Sequence, residues 1–116
     1  MTPLHLAALF KSSGPVVQEL IEAGAEIEAR DGRQMTALHL AARYNPEGVN
    51  QLIKVNAKVN VLSRGNYSPL WYAAYNNQRD SVVALCKAGA HPDLGHSPLT
   101  AFRISNEMKL LLKRLL

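Results

Sequence analysis

A seven-residue phrase recurs along the chain at a nearly fixed interval, and it limits the fold more than any other feature. Thr2-Pro3-Leu4-His5-Leu6-Ala7-Ala8 returns as Thr36-Ala37-Leu38-His39-Leu40-Ala41-Ala42 and again as Ser68-Pro69-Leu70-Trp71-Tyr72-Ala73-Ala74. A decayed fourth copy reads Ser97-Pro98-Leu99-Thr100-Ala101-Phe102-Arg103. The copies start at positions 2, 36, 68 and 97, so the intervals are 34, 32 and 29 residues. A second landmark keeps the same frame: Glu22-Ala23-Gly24-Ala25, Val55-Asn56-Ala57 and Lys87-Ala88-Gly89-Ala90. Self-similarity at such a period marks a stack of small units, each unable to bury its faces alone.

Each landmark has a local physical meaning. Thr or Ser followed by Pro starts a helix, because the hydroxyl caps free amides and Pro suits the first turn. The Ala-Ala pair later in that helix lets a neighbour approach closely. Gly24 and Gly89 follow apolar runs, where a helix ends in the left-handed conformation, and Asn56 fills the same slot. Between the landmarks the spacing predicts second helices over 16–23, 47–55, 81–88 and 106–115. Apolar residues there recur at three- and four-residue steps, as in Val17, Leu20 and Ile21 or Met108, Leu111 and Leu112. Asp31-Gly32 and Arg64-Gly65-Asn66 mark turns in the stretches that follow. The unit is therefore helix, turn, helix, then a protruding loop or hairpin.

Composition removes several other classes. Of 116 residues, 47% are apolar, an ordinary globular share. No apolar run is long enough to span a membrane. The single cysteine, Cys86, cannot close an intrachain disulfide and reads as a helix thiol. The net charge of +4 is modest and lacks a basic run or groove-reading helix, so a nucleic-acid-binding module ranks well below other readings. His91, Asp93 and His96 share a short loop but lack metal-ligand spacing, so no metal site is assigned. No phosphate loop or nucleophile elbow appears, so no catalytic residue, enzyme activity or cofactor is assigned either.

The repeated TPLHLAA, TALHLAA and SPLWYAA phrases, with EAGAEIEARDGRQ at 22–34, resemble ankyrin repeats over nearly the whole chain. The resemblance implies an all-α fold, a solenoid of about four helix-turn-helix units with protruding β-hairpin or loop fingers. Residues 1–116 would form one domain, with units at approximately 1–35, 36–67, 68–96 and 97–116. It also implies a protein-protein interaction scaffold that binds a partner protein or peptide in a concave groove, in an intracellular setting of cytoplasm or nucleus. Carried over by position, the partner-binding candidates are Phe10, Arg33, Met35, Arg43, Tyr44, Arg64, Tyr67, Tyr75 and Asn76. Their Arg and Tyr content suits an acidic and apolar ligand. Replacing Tyr44 or Tyr67 with Ala is then expected to weaken binding while leaving unfolding nearly intact. Trp71 stands where His5 and His39 stand in other copies, and is expected half-buried under the second and third fingers, with Tyr72 in the core.

The copies also depart from the pattern. The first carries an extra residue near 11–15, the second lacks one near 44–46, and the third finger, 91–96, is about four residues short. The first copy reads as an uncapped N-terminal end. A fragment of a longer array, or a self-associating structural segment of a larger multidomain protein that forms a homodimer through that end, is the alternative reading.

Overall fold

The computed structural model describes residues 1–10, 14–100 and 104–116. Along it run seven α-helices: α1 (Pro3–Leu9), α2 (Gly14–Glu22), α3 (Ala37–Tyr44), α4 (Pro46–Lys54), α5 (Pro69–Tyr75), α6 (Arg79–Lys87) and α7 (Asn106–Leu115). A 3-10 turn covers Pro98–Thr100. The second helices of all units fall within two residues of the expected bounds. Helices α1, α3 and α5 pack side by side as an inner row that continues into the 3-10 turn. Behind them α2, α4 and α6 form an outer row, and α7 packs on α6. The fourth unit opens on the 3-10 turn, and residues 101–103 of its decayed phrase lie outside the described residues, as do residues 11–13 of the first unit's expected insertion.

The repeated phrase works as its chemistry suggests. Thr2, Thr36 and Ser68 each accept the N–H of the residue three positions on, at 3.3, 3.4 and 3.1 Å. In the first two units the histidine closes the box from the other side: Nδ1 of His5 and of His39 accepts the cap residue's own N–H, both at 3.1 Å. With Nδ1 an acceptor, the ring proton sits on Nε2. That proton is donated to a finger carbonyl, His5 to Met35 at 2.9 Å and His39 to Tyr67 at 3.0 Å. A helix cap and a finger anchor are thus one side chain.

Helix ends follow the second landmark. Gly24, Asn56 and Gly89 take φ of +89°, +63° and +93°. In each case the next residue's N–H reaches back five positions, Ala25 to Leu20, Ala57 to Leu52 and Ala90 to Leu85, all at 3.0 Å. These bonds satisfy carbonyls that would otherwise end the helix unpaired. The residue missing from the second unit is absorbed by Asn45, which ends α3 and caps α4 at once. Its N–H donates to Ala41 at 2.7 Å and its Oδ1 accepts from Gly48 at 3.0 Å. Asn45 is fully buried, and Gly48 lies so close that a Cβ there would stand 2.7 Å from the Asn45 Nδ2.

The core runs the length of the stack. Leu4, Leu38 and Leu70 repeat at its centre, with Val17, Val49 and Val82 and then Leu52 and Leu85 from the outer row. Ala8, Ala41, Ala42, Ala73 and Ala74 are buried where inner helices meet. Met108 and Leu112 of α7 close the far end.

Among the described residues the fingers contain no strand. The first is closed by Asp31 N–H to the Met35 carbonyl at 3.0 Å and the second by Ser63 N–H to Tyr67 at 2.9 Å. Neighbouring units are tied along the finger bases. Glu28 Oε2 accepts the Lys58 N–H at 2.9 Å; Asn60 accepts from His91 N–H at 2.8 Å and donates to the Gly89 carbonyl at 3.0 Å.

Candidate functional site

The fingers turn toward the inner helices, and the space between them is a groove. Its clearest part is a pocket of about 400 Å³ bounded by Asp31, Gly32, Arg33 and Met35 of the first finger, Leu9 of α1, Leu40 and Arg43 of α3, and Met1. Leu9, Met35 and Leu40 supply an apolar floor, while Arg33 and Arg43 supply charge. Asp31 lies there too, but its Oδ1 is already committed to the N–H groups of Arg33 at 2.8 Å and Met35 at 2.9 Å. Partial burial opposes ionisation of this carboxyl, yet the bonds from Met35 and Arg33 outweigh it and hold the pKa below its ordinary value.

The sequence candidates divide by what their side chains are free to do. Phe10 and Tyr44 are exposed, at 61% and 45%. Arg33 and Arg64 are exposed on the tips of the first and second fingers, and Arg43 is half-buried, its guanidinium 5.6 Å over the Tyr44 ring. Among the described residues the guanidinium groups of Arg33, Arg43 and Arg64 have no carboxylate or carbonyl partner. Met35 departs from the expected surface position. It is 3% exposed, because the residue before a helix cap is aimed at the helix it precedes, and it belongs to the pocket floor and the core. Asn76 is half-buried and donates from Nδ2 to the Tyr72 carbonyl at 2.8 Å, so its amide is used to end α5.

Tyr67 and Tyr75 join a feature that position alone did not show. His96, Tyr67, Trp71 and Tyr75 follow one another as a ladder, with centroids 4.4, 4.4 and 4.7 Å apart; the outer pairs are stacked, at 26° and 14°, and Tyr67 and Trp71 are tilted at 50°. Tyr72 meets this ladder edge-on at Trp71, 5.2 Å away, and its hydroxyl lies 3.3 Å from Ser63 Oγ. Trp71 is half-buried as expected, and Tyr72, expected in the core, is half-buried and packed against it. The ladder forms because Trp71 has no imidazole to reach the third finger. His96 anchors that finger instead, through its N–H to the Asn66 carbonyl at 3.0 Å and Nε2 to Gly65 at 2.8 Å. Gly95 allows the approach: its φ is +70°, and a Cβ there would run into the Asn66 carbonyl and Leu62. Trp71 and Tyr75 stand four apart on one helix and so share a face, a signal the sequence did contain. Their meeting with His96 depends on a contact between fingers that no local pattern encodes.

Arg30 was also not singled out from sequence. Its Nη1 donates to the Gln34 carbonyl at 3.1 Å and to Leu62 at 2.7 Å, joining the first two fingers. With the Arg64 N–H to Arg33 carbonyl bond of 2.9 Å, it fixes the finger tips relative to one another. Cys86 is half-buried on α6, and burial pushes its thiol pKa up, away from nucleophilic chemistry.

Comparison with known proteins agrees with this architecture. Residues 4–96 match the family model described as ankyrin repeats (3 copies). The chain is 40% identical over 103 residues to the putative palmitoyltransferase ZDHHC13 of Danio rerio, covering 83% of this chain and 16% of that protein. It is 40% identical over 95 residues to neurogenic locus notch homolog protein 1 of Danio rerio, covering 80% and 4%. It is 39% identical over 85 residues to inversin of Canis lupus familiaris, covering 72% and 8%. The chain thus spans less than a fifth of the length of each of these relatives. It belongs to the ankyrin-repeat family, whose repeats are modules of protein-protein interaction.

Proposed function

We propose that this chain binds a partner protein or peptide of acidic and apolar character in the groove between its fingers and inner helices, and that it performs no chemistry of its own. The observation that carries this is the pairing of an apolar pocket floor with Arg33 and Arg43, joined by Arg64 on the next finger, whose charges meet no acceptor among the described residues. An Arg side chain without an internal partner beside apolar surface is suited to forked bonding with a ligand carboxylate. The rigid cross-linking of the fingers by Arg30 and the Arg64 N–H reduces the ordering cost of binding.

The test is selection of binders from a displayed peptide library, followed by measurement on two groove variants. Arg43→Glu and Tyr44→Ala should each weaken the selected binders by about tenfold or more. Thermal midpoints should stay close to wild type, since neither side chain is in the core. Binders indifferent to both substitutions would place the interaction elsewhere.

A second reading is self-association through the N-terminal end, and one observation favours it. Pro3, Leu4, Leu20, Ala23, Gly24 and Ala25 line a pocket of about 280 Å³ there. Leu20 and Ala25 are half-buried there, whereas Leu52 and Ala57 at the same register of the second unit are buried. Light scattering over a concentration series decides this: a dimer that persists at high salt supports it, and a concentration-independent monomer removes it.

A further inference from the structure

We propose that the groove reads a ligand segment in polyproline II conformation at two points three residues apart: an apolar side chain in the pocket of the first two units, and a carboxylate at the His96–Tyr67–Trp71–Tyr75 ladder. The proposal rests on the groove being the ligand site and adds Trp71 and His96 to the residues that set specificity.

The ladder's chemistry follows from which parts of its rings are already used. Trp71 lies between Tyr67 and Tyr75, and Tyr67 between Trp71 and His96. Aromatic faces are negative and edges positive. Cations bind to faces, and His96 covers one face of Tyr67 and Tyr75 one face of Trp71, while Tyr67 and Trp71 meet tilted at 50°. Beside these faces the ladder offers ring edges together with Tyr67 Oη, Tyr75 Oη and Trp71 Nε1. None of these three atoms has a hydrogen-bond partner among the described residues, and none is sealed from solvent. All three residues are half-buried. Positive edges and unpaired donors suit a carboxylate, and exposed Arg64 on the same finger as Tyr67 adds charge of the right sign.

The spacing comes from the repeat. Tyr67 and Tyr75 occupy in the third unit the register that Met35 and Arg43 occupy in the second. The Met35 and Arg43 side of the pocket and the Tyr67 and Tyr75 side of the ladder are therefore displaced by one unit, the distance between packed helices α3 and α5. Packed helices lie about 8–10 Å apart, which agrees with a long axis of 39 Å for the whole stack. A polyproline II segment rises about 3.1 Å per residue with three residues per turn. It brings residues i and i+3 to one face about 9 Å apart. A β-strand, with side chains alternating at about 3.3 Å per residue, offers about 7 or 13 Å on one face and fits less well.

Synthetic peptides in a Pro- and Ala-rich background, free of Trp and Tyr, test this directly. Trp71 is the chain's single tryptophan, so its fluorescence reports from within the ladder. Peptides carrying Leu and Glu at i and i+3, in both orders, are compared with Leu and Glu at i and i+2 and with Glu→Gln and Glu→Lys versions. The expected result is saturable binding by one i, i+3 order, weakened about tenfold or more by Glu→Lys and by the i, i+2 spacing. Trp71→Phe, which keeps a ring in the stack but removes Nε1–H and the fluorophore, is read by titration calorimetry alongside wild type; it should weaken the Glu peptide about tenfold and leave the Gln peptide little changed. Equal binding of Glu and Lys peptides, or indifference to spacing, overturns the proposal. If Arg43→Glu still abolishes that indifferent binding, the groove reading stands without it. If Arg43→Glu and Tyr44→Ala change nothing, the groove reading falls as well. Absence of saturable binding by any peptide up to about 1 mM also overturns the proposal.

Discussion

His39 ties the stability of the stack to pH in a window that can be worked out from the structure. The imidazole is fully buried, its Nδ1 accepts the Thr36 N–H, and its Nε2–H is donated to the Tyr67 carbonyl. Burial pushes its pKa down from 6.5 to about 4, against the opposing pull of the Tyr67 carbonyl. The folded state therefore keeps the ring neutral while the unfolded chain takes up a proton below pH 6.5. Stability is intact above that value, falls as pH drops toward 4, and levels off once both states are protonated. Each unit of separation is worth about 1.4 kcal/mol. At pH 5 the loss is about 2 kcal/mol, and below pH 4 it approaches about 3 kcal/mol. Urea unfolding at pH 7.5, 6.5, 5.8 and 5.0 reads this as a midpoint that drops by about 1 M across the series. Asp31 does not intrude: its lowered carboxyl contributes stability that is lost only as pH falls below the ordinary 3.8. His39→Gln supplies the control, because Gln offers an N–H toward Tyr67 and does not titrate. It should flatten the profile between pH 7.5 and 5. If wild type and His39→Gln lose stability in parallel, the buried neutral imidazole is not what sets the acid response.

Three substitutions probe the fold. Leu52→Ala, at a fully buried outer-row position, should cost about 2–5 kcal/mol in urea unfolding. Asn56 sits at φ +63°; Asn56→Ala should destabilise by about 1 kcal/mol while Asn56→Gly does not, and equal effects would contradict the left-handed helix end. Gly95→Ala should loosen the third finger, seen as a change in Trp71 fluorescence and a lowered thermal midpoint, since a Cβ there collides with Asn66 and Leu62.

The sequence exposed most of what is local and little of what crosses between units. Helix starts at Thr2, Thr36 and Ser68 and helix ends at Gly24, Asn56 and Gly89 follow from one residue's chemistry and its near neighbours, and α7 lies at 106–115 as the apolar spacing predicts. The missing residue near 44–46 was visible as a length difference, but that Asn45 serves two helices depends on its burial beside Gly48. Position within a repeat identifies places and not orientations. Met35 shows the difference: its position lies at the groove, yet its side chain forms the floor and not the rim.

Tyr67 shows it more sharply, and the consequence reaches the experiments. By position it is a surface contact whose removal should spare the fold. It lies between His96 and Trp71 and also meets Tyr72, so Tyr67→Ala removes three ring contacts, of which the one with His96 helps hold the third finger to the second. A binding loss in that variant would not separate recognition from local collapse. Tyr44, exposed on α3 with its ring under the Arg43 guanidinium, lacks that entanglement and is the cleaner probe. The substitution of Trp71 for the histidine of earlier units has the same double character. It deletes an internal finger anchor, transfers that role to His96, and leaves an indole between Tyr67 and Tyr75. Where a repeat abandons its own structural residue and another residue takes up the bond, the side chain that remains is released from that bond, and the proposed ligand site draws on it. That is why the third unit, the least regular of the first three, is the place to look for specificity.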